Sequence, residues 1–184
     1  MPPPSLPVGD VVTPSLLRMI SEDVRAKAQW MYGSGSTGAT IKTLATDGTF
    51  AMLTYRLMQR CQRYRLVPLA MVFNKLNVMF GGCIIGRGAS FGRRFVMIHS
   101  NGIVINSNVH GGDDIFLEHQ VTIGAEKSEI PRLGNRVFVG AGAKIIGGVT
   151  LGDDVKVGAN AVVVRDVDAG LTVVGIPAKP VSTA

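Results

Sequence analysis

The sequence has few aromatic residues, few cysteines and no apolar run long enough to cross a bilayer. Aromatic residues make up 6% of the 184 residues, and Cys61 and Cys83 are the two cysteines. They provide neither a disulfide framework nor a metal-binding spacing, so we expect reduced, buried thiols in a cytoplasmic protein. The longest apolar stretch, 66–80, is interrupted by Lys75 and two asparagines, and it is shorter than the ~18 to 20 residues that span a membrane.

Acidic residues are outnumbered, with 13 Asp and Glu against 19 Lys and Arg and a formal net charge of +6. This excess favours an anionic partner. The basic residues are scattered and not interleaved with aromatic side chains, so nucleic acid is not expected, and a phosphorylated cofactor fits at least as well. Residues 1–7 lack the pattern of a secretion signal. Contact of the apolar segment near residue 70 with a membrane surface is left open, without a positive indication.

Up to about Gly81, apolar residues recur at helical spacing. The recurrence, with Ser and Gly residues between the periodic segments, predicts three helices over 14–31, 39–63 and 66–80. The periodic positions are Leu16, Leu17, Ile20, Val24, Leu53, Leu57 and Cys61.

Glycine is abundant, at 23 residues, and from Ile85 onward the sequence repeats every six residues. Six residues form one short strand and one turn, so three hexads close a triangular coil with aliphatic side chains inside and Gly, Asn or Asp at the corners. This period predicts a mainly β fold, a left-handed parallel β-helix of hexapeptide repeats, behind an α-helical N-terminal region. A β-sandwich would show turns every ~8 to 12 residues instead. The clearest hexads open at Ile85, Leu133, Val139, Leu151 and Val157.

The expected organisation is an N-terminal helical region over 1–82, the β-helix over 83–175 and a C-terminal tail over 176–184. The hexad register slips twice, and slips in a solenoid are where functional residues tend to be inserted. The first slip adds two residues between the hexads that open at Phe91 and Ile105, and it contains His99. The second adds four residues before Leu133 and predicts a loop over 126–129.

Three segments, 89–106, 139–164 and the Val-Gly-Ile-Pro-Ala-Lys-Pro ending at 174–180, resemble the serine acetyltransferase family and its close relatives that O-acetylate sugars in exopolysaccharides. Residues 21–26 resemble a stretch in that family's helical N-terminal region. The resemblance implies a hexapeptide-repeat acyltransferase that takes acetyl-CoA as co-substrate and needs no metal.

In that family the histidine of a His-x-x-Gly segment takes the proton from the acceptor hydroxyl, and His99 with Gly102 matches it. A neutral alcohol is a poor nucleophile, and an imidazole can remove its proton as it attacks a thioester. The competing interpretation is a corner histidine that only fills a turn.

Other positions depart from the family. Serine acetyltransferases have a carboxylate that orients the histidine, an Asp directly before it, and an Arg-His pair in a later loop. Here the corresponding residues are Ile84, Ile98, and Glu129 with Ile130. Apolar side chains cannot pair with the charged groups of a free amino acid, so these departures favour a sugar hydroxyl over serine.

With Ile84 in that position, His99 must be oriented by a backbone carbonyl or by a residue such as Asn101, Asn106 or Glu118. His119 is a further candidate, because the hexad count places it on the same face one coil later. The alternative for His119 is a polar residue on an exposed face.

For acetyl-CoA, the resemblance points to Ala141, Gly142, Lys156 and Ala159. Small side chains leave room for a pantetheine arm in a groove between subunits, and a lysine can reach phosphates. A groove of this kind implies a homotrimer, to which the N-terminal helices could add a higher assembly.

The main hypothesis is therefore an acetyl-CoA-dependent O-acetyltransferase acting on a sugar or polysaccharide precursor, and the alternative is serine O-acetyltransferase. A third hypothesis is a metal site of His99, His110 and His119, as in carbonic anhydrases of this fold, although the spacing does not match that family's pattern. The fourth is a non-catalytic trimeric scaffold.

Overall fold

The computed structural model describes residues 14–181, which form an α-helical layer followed by a parallel β-helix. The four helices are α1 (Leu16–Tyr32), α2 (Thr37–Thr43), α3 (Thr49–Arg63) and α4 (Val67–Phe80). Within the described range, every helix is too short or too polar to cross a bilayer.

The strands that follow are two or three residues long and lie in three sheets, one for each side of a triangular coil. The first sheet holds β1 (Ile84–Ile85), β4 (Val104–Ile105), β7 (Thr122–Gly124), β10 (Lys144–Ile146) and β13 (Val162–Val163). The second holds β2 (Ser90–Phe91), β5 (His110–Gly111), β8 (Arg132–Leu133) and β11 (Thr150–Leu151). The third holds β3 (Val96–Met97), β6 (Phe116–Leu117), β9 (Phe138–Val139), β12 (Lys156–Val157), β14 (Thr172–Val174) and β15 (Lys179–Pro180).

The six-residue period produces this architecture because each hexad places one aliphatic side chain inside the coil. In the first sheet Ile85, Ile105, Ile123 and Ile145 stack in register through parallel pairing, and each is at most 2% exposed. Each such burial is worth about 1.5 to 3 kcal/mol relative to exposure, so the column of side chains holds the coils together. The predicted β-helix is confirmed, and β15 extends it by folding back antiparallel on β14.

One corner of the solenoid differs from the expectation of Gly, Asn or Asp at every turn. Arg94 and Arg136 adopt left-handed backbone conformations there, alternating along the edge with Asp114 and Asp154. The left-handed region costs a side-chain-bearing residue roughly 1 to 2 kcal/mol. Ion pairs between neighbouring coils offset this cost, as in the 2.7 Å contact of Arg136 Nε with Asp154 Oδ1.

Helix α3 covers the open end of the first coil. That coil would otherwise leave its outer strand edge without hydrogen-bond partners. The Tyr55 hydroxyl donates to the Ala89 carbonyl at 3.2 Å and accepts from the Phe91 N–H at 3.0 Å. From α4, the Asn74 amide donates to the Ile85 carbonyl at 2.7 Å.

A buried ion pair fixes α1, α3 and the first coil to each other. Arg56 on α3 binds both carboxylate oxygens of Asp23 on α1, at 2.6 and 3.0 Å, and also donates to the Phe91 carbonyl at 3.0 Å. The Phe95 N–H donates to Asp23 at 3.0 Å. Burial raises the pKa of the Asp23 carboxyl, and the contact with Arg56 opposes that rise.

A second contact of α1 with the first coil lies nearer the surface. Arg93 binds Glu22 through two hydrogen bonds of 2.6 and 2.7 Å. These bonds are the main reason that the pKa of the Glu22 carboxyl falls to about 2. Residues 21–26, the stretch of α1 that resembles the serine acetyltransferase family, therefore dock the helical layer onto the β-helix.

The single helix expected over 39–63 is wrong, because α2 and α3 are separate. Gly48, the N-cap residue directly before α3, has a φ of 76°, a backbone conformation that interrupts a helix. Threonine hydroxyls satisfy the carbonyls freed at the break: Thr46 and Thr49 donate to the Thr43 carbonyl at 2.7 and 2.8 Å. The resulting loop, residues 44–48, projects toward the β-helix.

Replacing Arg56 with Leu should lower the free energy of unfolding by about 3 to 5 kcal/mol, because it leaves the Asp23 charge buried and unpaired. Urea denaturation measures the change. Arg132→Leu, at an exposed arginine of β8, is the control and should change stability by about 0.5 kcal/mol or less. A loss below about 1 kcal/mol in Arg56→Leu would contradict the anchoring role.

The Glu22–Arg93 contact should make stability depend on pH in acid. The pKa is lower in the folded state, so the contact stabilises the fold above the unfolded pKa of about 4.3, and this contribution is lost as the pH falls toward 2. The stability difference between the parent and Glu22→Gln should therefore be largest at neutral pH and shrink between pH 5 and 2, measured by urea denaturation. A difference independent of pH would exclude this linkage. Glu126→Gln, at an exposed carboxylate, is the control.

Candidate active site

The predicted site residues of three successive coils lie along one edge of the solenoid, where strands of the third sheet lead into strands of the first. His119 is followed along this edge by Ala141 and Ala159. Backbone hydrogen bonds set the register: the Gly142 N–H donates to the His119 carbonyl at 2.9 Å, and the Asn160 N–H to the Ala141 carbonyl at 2.8 Å. The first register slip places His99 at the start of this edge.

His99 and His119 form a pair at this edge. Their ring centroids are 6.2 Å apart and their planes are nearly perpendicular, at 75°. The side chains are 47% and 45% exposed, so a substrate can reach both. Glu118 lies beside the second ring, with its Oε2 atom 3.7 Å from His119 Nδ1. The hexad count therefore placed both histidines on one face correctly.

A cavity of about 410 Å³ opens in front of His99. One wall is the turn of His99, Ser100 and Asn101, and the other is the loop 44–48 with Phe80 from α4. The Ser100 hydroxyl donates to the Gly81 carbonyl at 2.5 Å, which holds the histidine turn against the end of α4. The site is thus built from both layers of the protein.

Asp47 is the site residue that the sequence analysis missed. Its Oδ2 atom lies 3.5 Å from His99 Nδ1, and the side chain is 84% exposed. The missed signal is Gly48, a poor residue for the interior of the predicted helix. Reading it as a helix break would have placed Asp47 in a loop, although its contact with His99 could not have been predicted.

Some expected positions lie elsewhere. Asn106 is at the far end of β4, where its side chain accepts a 3.0 Å hydrogen bond from the Asn108 N–H and shapes that turn. Ile98 is buried and Ile84 is half exposed on β1. The second slip forms a tight turn closed by pairing of Glu126 with Glu129, on a different edge from His99.

The residues expected to contact acetyl-CoA are exposed or half-buried. Ala141, Gly142 and Ala159 lie on the histidine edge, and Lys156 lies on β12 in the adjoining sheet. Gly142 has a φ of 72°, and a β-carbon there would lie 2.2 Å from the Asn160 side-chain oxygen. The backbone therefore favours glycine at this position, whatever binds there.

The three-histidine metal hypothesis has no geometric support. His110 is on β5 in the second sheet, away from the edge that carries His99 and His119. Among residues 14–181, no three His, Cys, Asp or Glu side chains are grouped so that they could hold a metal ion. Cys61 and Cys83 are free and buried, and burial raises the pKa of the Cys83 thiol to about 12.

A larger cavity, of about 570 Å³, lies between α1, α3 and the first coil, at a distance from both histidines. Several arginines line it, but those whose contacts are described serve the packing of the layers. Arg56 binds Asp23, Arg93 binds Glu22, and Arg60 donates to the Pro14 carbonyl at 3.1 Å. The smaller cavity, in front of His99, is therefore the candidate active site.

Comparison with known proteins agrees with this geometry. Residues 131–165 match the family described as bacterial transferase hexapeptide (six repeats). The serine acetyltransferase of Helicobacter pylori strain 26695 is 38% identical over 172 residues, which cover 91% of this chain and 95% of the relative.

Solved structures extend the comparison. The serine acetyltransferase of Neisseria gonorrhoeae superposes with a TM-score of 0.82 at 29% identity over 91% of this chain, and this chain spans 65% of that one. The same enzyme in complex with serine gives a TM-score of 0.80 at 29% identity and coverages of 91% and 69%. A serine acetyltransferase in complex with CoA gives 0.83 at 26% identity and coverages of 92% and 71%.

Three observations indicate the same family. They are the hexapeptide repeats, the edge that carries the histidines and small residues, and the similarity along nearly the whole length of the H. pylori enzyme. The chain belongs to the hexapeptide-repeat acyltransferase superfamily, among the relatives of the serine acetyltransferases, and is an O-acetyltransferase.

Proposed function

We propose that this protein is an acetyl-CoA-dependent serine O-acetyltransferase with His99 as the general base. The observation that carries the proposal is the cavity in front of His99. The chain that contains it aligns with 95% of the H. pylori serine acetyltransferase. An imidazole at the mouth of a cavity is what hydroxyl activation requires. The half-exposed rings of His99 and His119 leave room there for an acceptor.

The reaction balances with the groups present. His99 takes the proton of the serine hydroxyl as its oxygen attacks the acetyl carbonyl of acetyl-CoA. The C–S bond of the tetrahedral intermediate then breaks, CoA leaves as the thiolate, and the proton on the histidine neutralises it. We propose that His119, whose ring centroid lies 6.2 Å from that of His99, donates a hydrogen bond to the developing oxyanion.

Serine replaces the sugar acceptor favoured by the sequence departures. That inference rested on Ile84, Ile98 and the pair Glu129 and Ile130, which stand where the family has charged or histidine side chains and whose apolar members cannot pair with an amino acid's charges. The site has other carboxylates at its border: Asp47 from the helical layer and Glu118 from the β-helix. The negative charge of Glu118 favours an acceptor that carries an ammonium group. The H. pylori relative and the solved structures reported above are serine acetyltransferases, and none of them is described as acting on a glycan.

Acetyl-CoA would lie along the edge that continues from the histidines. Ala141, Gly142 and Ala159 present little side-chain bulk there, and Lys156 offers a cation for phosphate. An exposed edge of small residues gives only one wall of a groove. We therefore propose a homotrimer in which a neighbouring solenoid supplies the other wall, with analytical ultracentrifugation as the test. The N-terminal helices could join trimers into a higher assembly.

His99→Ala should lower serine-dependent acetyl-CoA turnover by about 10²-fold or more, the size expected for the loss of a general base. Release of the CoA thiol measures turnover. The matched control is His110→Ala, at an exposed histidine on another face, which should leave turnover unchanged. Turnover by the parent with sugars but not with L-serine would contradict the acceptor. Failure of the parent to bind CoA would favour a non-catalytic scaffold.

Ala159→Trp should raise the KM for acetyl-CoA about tenfold or more, equivalent to about 1.4 kcal/mol, because an indole would obstruct the edge. The KM for L-serine should change little. Initial rates with each substrate varied in turn separate the two effects. Ala169→Trp, at an exposed alanine on another edge, is the control, and an equal change in both variants would refute this path for the cofactor.

A further inference from the structure

We propose that Asp47 is the positioning residue that orients His99, a task performed from the helical layer and not from the β-helix. This inference rests on the proposed function in one respect, the role of His99 as the base. The two groups are 3.5 Å apart, at the outer limit of a hydrogen bond, and catalytic hydrogen bonds in unliganded enzymes are often long.

Within residues 14–181, the β-helix supplies no carboxylate within 4 Å of the His99 ring. The family resemblance places the orienting carboxylate where Ile84 stands, and an isoleucine cannot accept a hydrogen bond. Among residues 14–181, Asp47 has the only carboxylate within 4 Å of His99, since Glu118 pairs with His119 instead. The Ser100 hydroxyl is occupied by the Gly81 carbonyl. Asp47 is thus the one acidic group in reach of the His99 ring.

Two contacts fix the loop that carries Asp47. Gly48 packs directly against the strand that leads to His99: a β-carbon at this position would lie 2.4 Å from the Met97 carbonyl oxygen. The buried Lys27 of α1 donates to the Asp47 carbonyl. Lys27 is fully buried, and this burial lowers its pKa to about 8. A backbone held on both sides restricts where the Asp47 carboxylate can go, although the carboxylate itself is exposed.

The contact selects a tautomer. A neutral imidazole carries its proton on one nitrogen, and a carboxylate beside Nδ1 favours the form with the proton there. The Nε2 atom then has a free lone pair and can take the proton of the acceptor hydroxyl. Without Asp47 the ring could rotate or hold its proton on Nε2, and in that state it cannot act as a base.

The first test reads the tautomer and needs no acceptor. Long-range ¹H–¹⁵N NMR of the full chain, with histidine labelled, should show neutral His99 protonated on Nδ1 in the parent. In Asp47→Ala the population should shift toward protonation on Nε2, and Asp47→Glu should restore it in part. The control, Asp168→Ala, removes an exposed carboxylate on another edge and should leave the spectrum unchanged. Equal tautomer populations in the parent and Asp47→Ala would overturn the proposal.

The second test separates positioning from substrate binding. Asp47→Ala should lower kcat about 10- to 100-fold, the range seen when supporting hydrogen bonds are lost, with the KM for L-serine changed less than twofold to threefold. Asp47→Glu should recover part of the loss. A rise in KM for serine with unchanged kcat would show that Asp47 binds the ammonium group, and would overturn the positioning role. If the parent does not acetylate serine, the proposed function fails while the tautomer measurement still decides this inference.

Gly48→Ala tests the loop without touching the carboxylate. The added methyl group collides with the Met97 carbonyl and the positive φ disfavours it, so the loop must shift. The variant should show the same tautomer change as Asp47→Ala in a protein that is still folded by circular dichroism. An unchanged tautomer, with the loop displaced, would contradict the dependence on geometry.

Discussion

The guanidinium group of Arg56 joins the two layers of this protein, and the active site depends on that junction. It binds Asp23 of α1 and the Phe91 and Gly92 carbonyls of the first coil while almost completely buried. Losing one partner of such a pair leaves an unpaired charge in the interior, which is costly. The helical layer is therefore fixed relative to the solenoid, and with it the loop that faces His99.

The two layers contribute different parts of the site. The β-helix repeats a corner at regular spacing, so it aligns His99, His119 and the small residues of the following coils on one edge. A repeating corner cannot by itself close a cavity. The helical layer does so with the loop 44–48 and Phe80, and it adds the Asp47 carboxylate.

The sequence predicts what repetition and burial determine. The six-residue period identified the aliphatic column that begins with Ile85. The register slip identified His99, because an interruption of a regular repeat can be seen in the sequence. Gly48 does mark the helix break, but nothing in the sequence marks the left-handed Arg94 and Arg136, whose ion pairs are made with aspartates of the next coil. Asp47 and His99 are 52 residues apart in the chain, and no local sequence pattern predicts their contact. The domain boundaries and the cytoplasmic location stay predictions.

We propose that the acceptor hydroxyl of serine meets His99 in the cavity between the two layers. A crystal structure of the protein with L-serine and CoA would decide this. We expect serine within this cavity, its hydroxyl oxygen about 2.6 to 3.2 Å from His99 Nε2, with CoA along the edge of Ala141 and Ala159. Serine bound at another place, or CoA bound along a different edge, would contradict it.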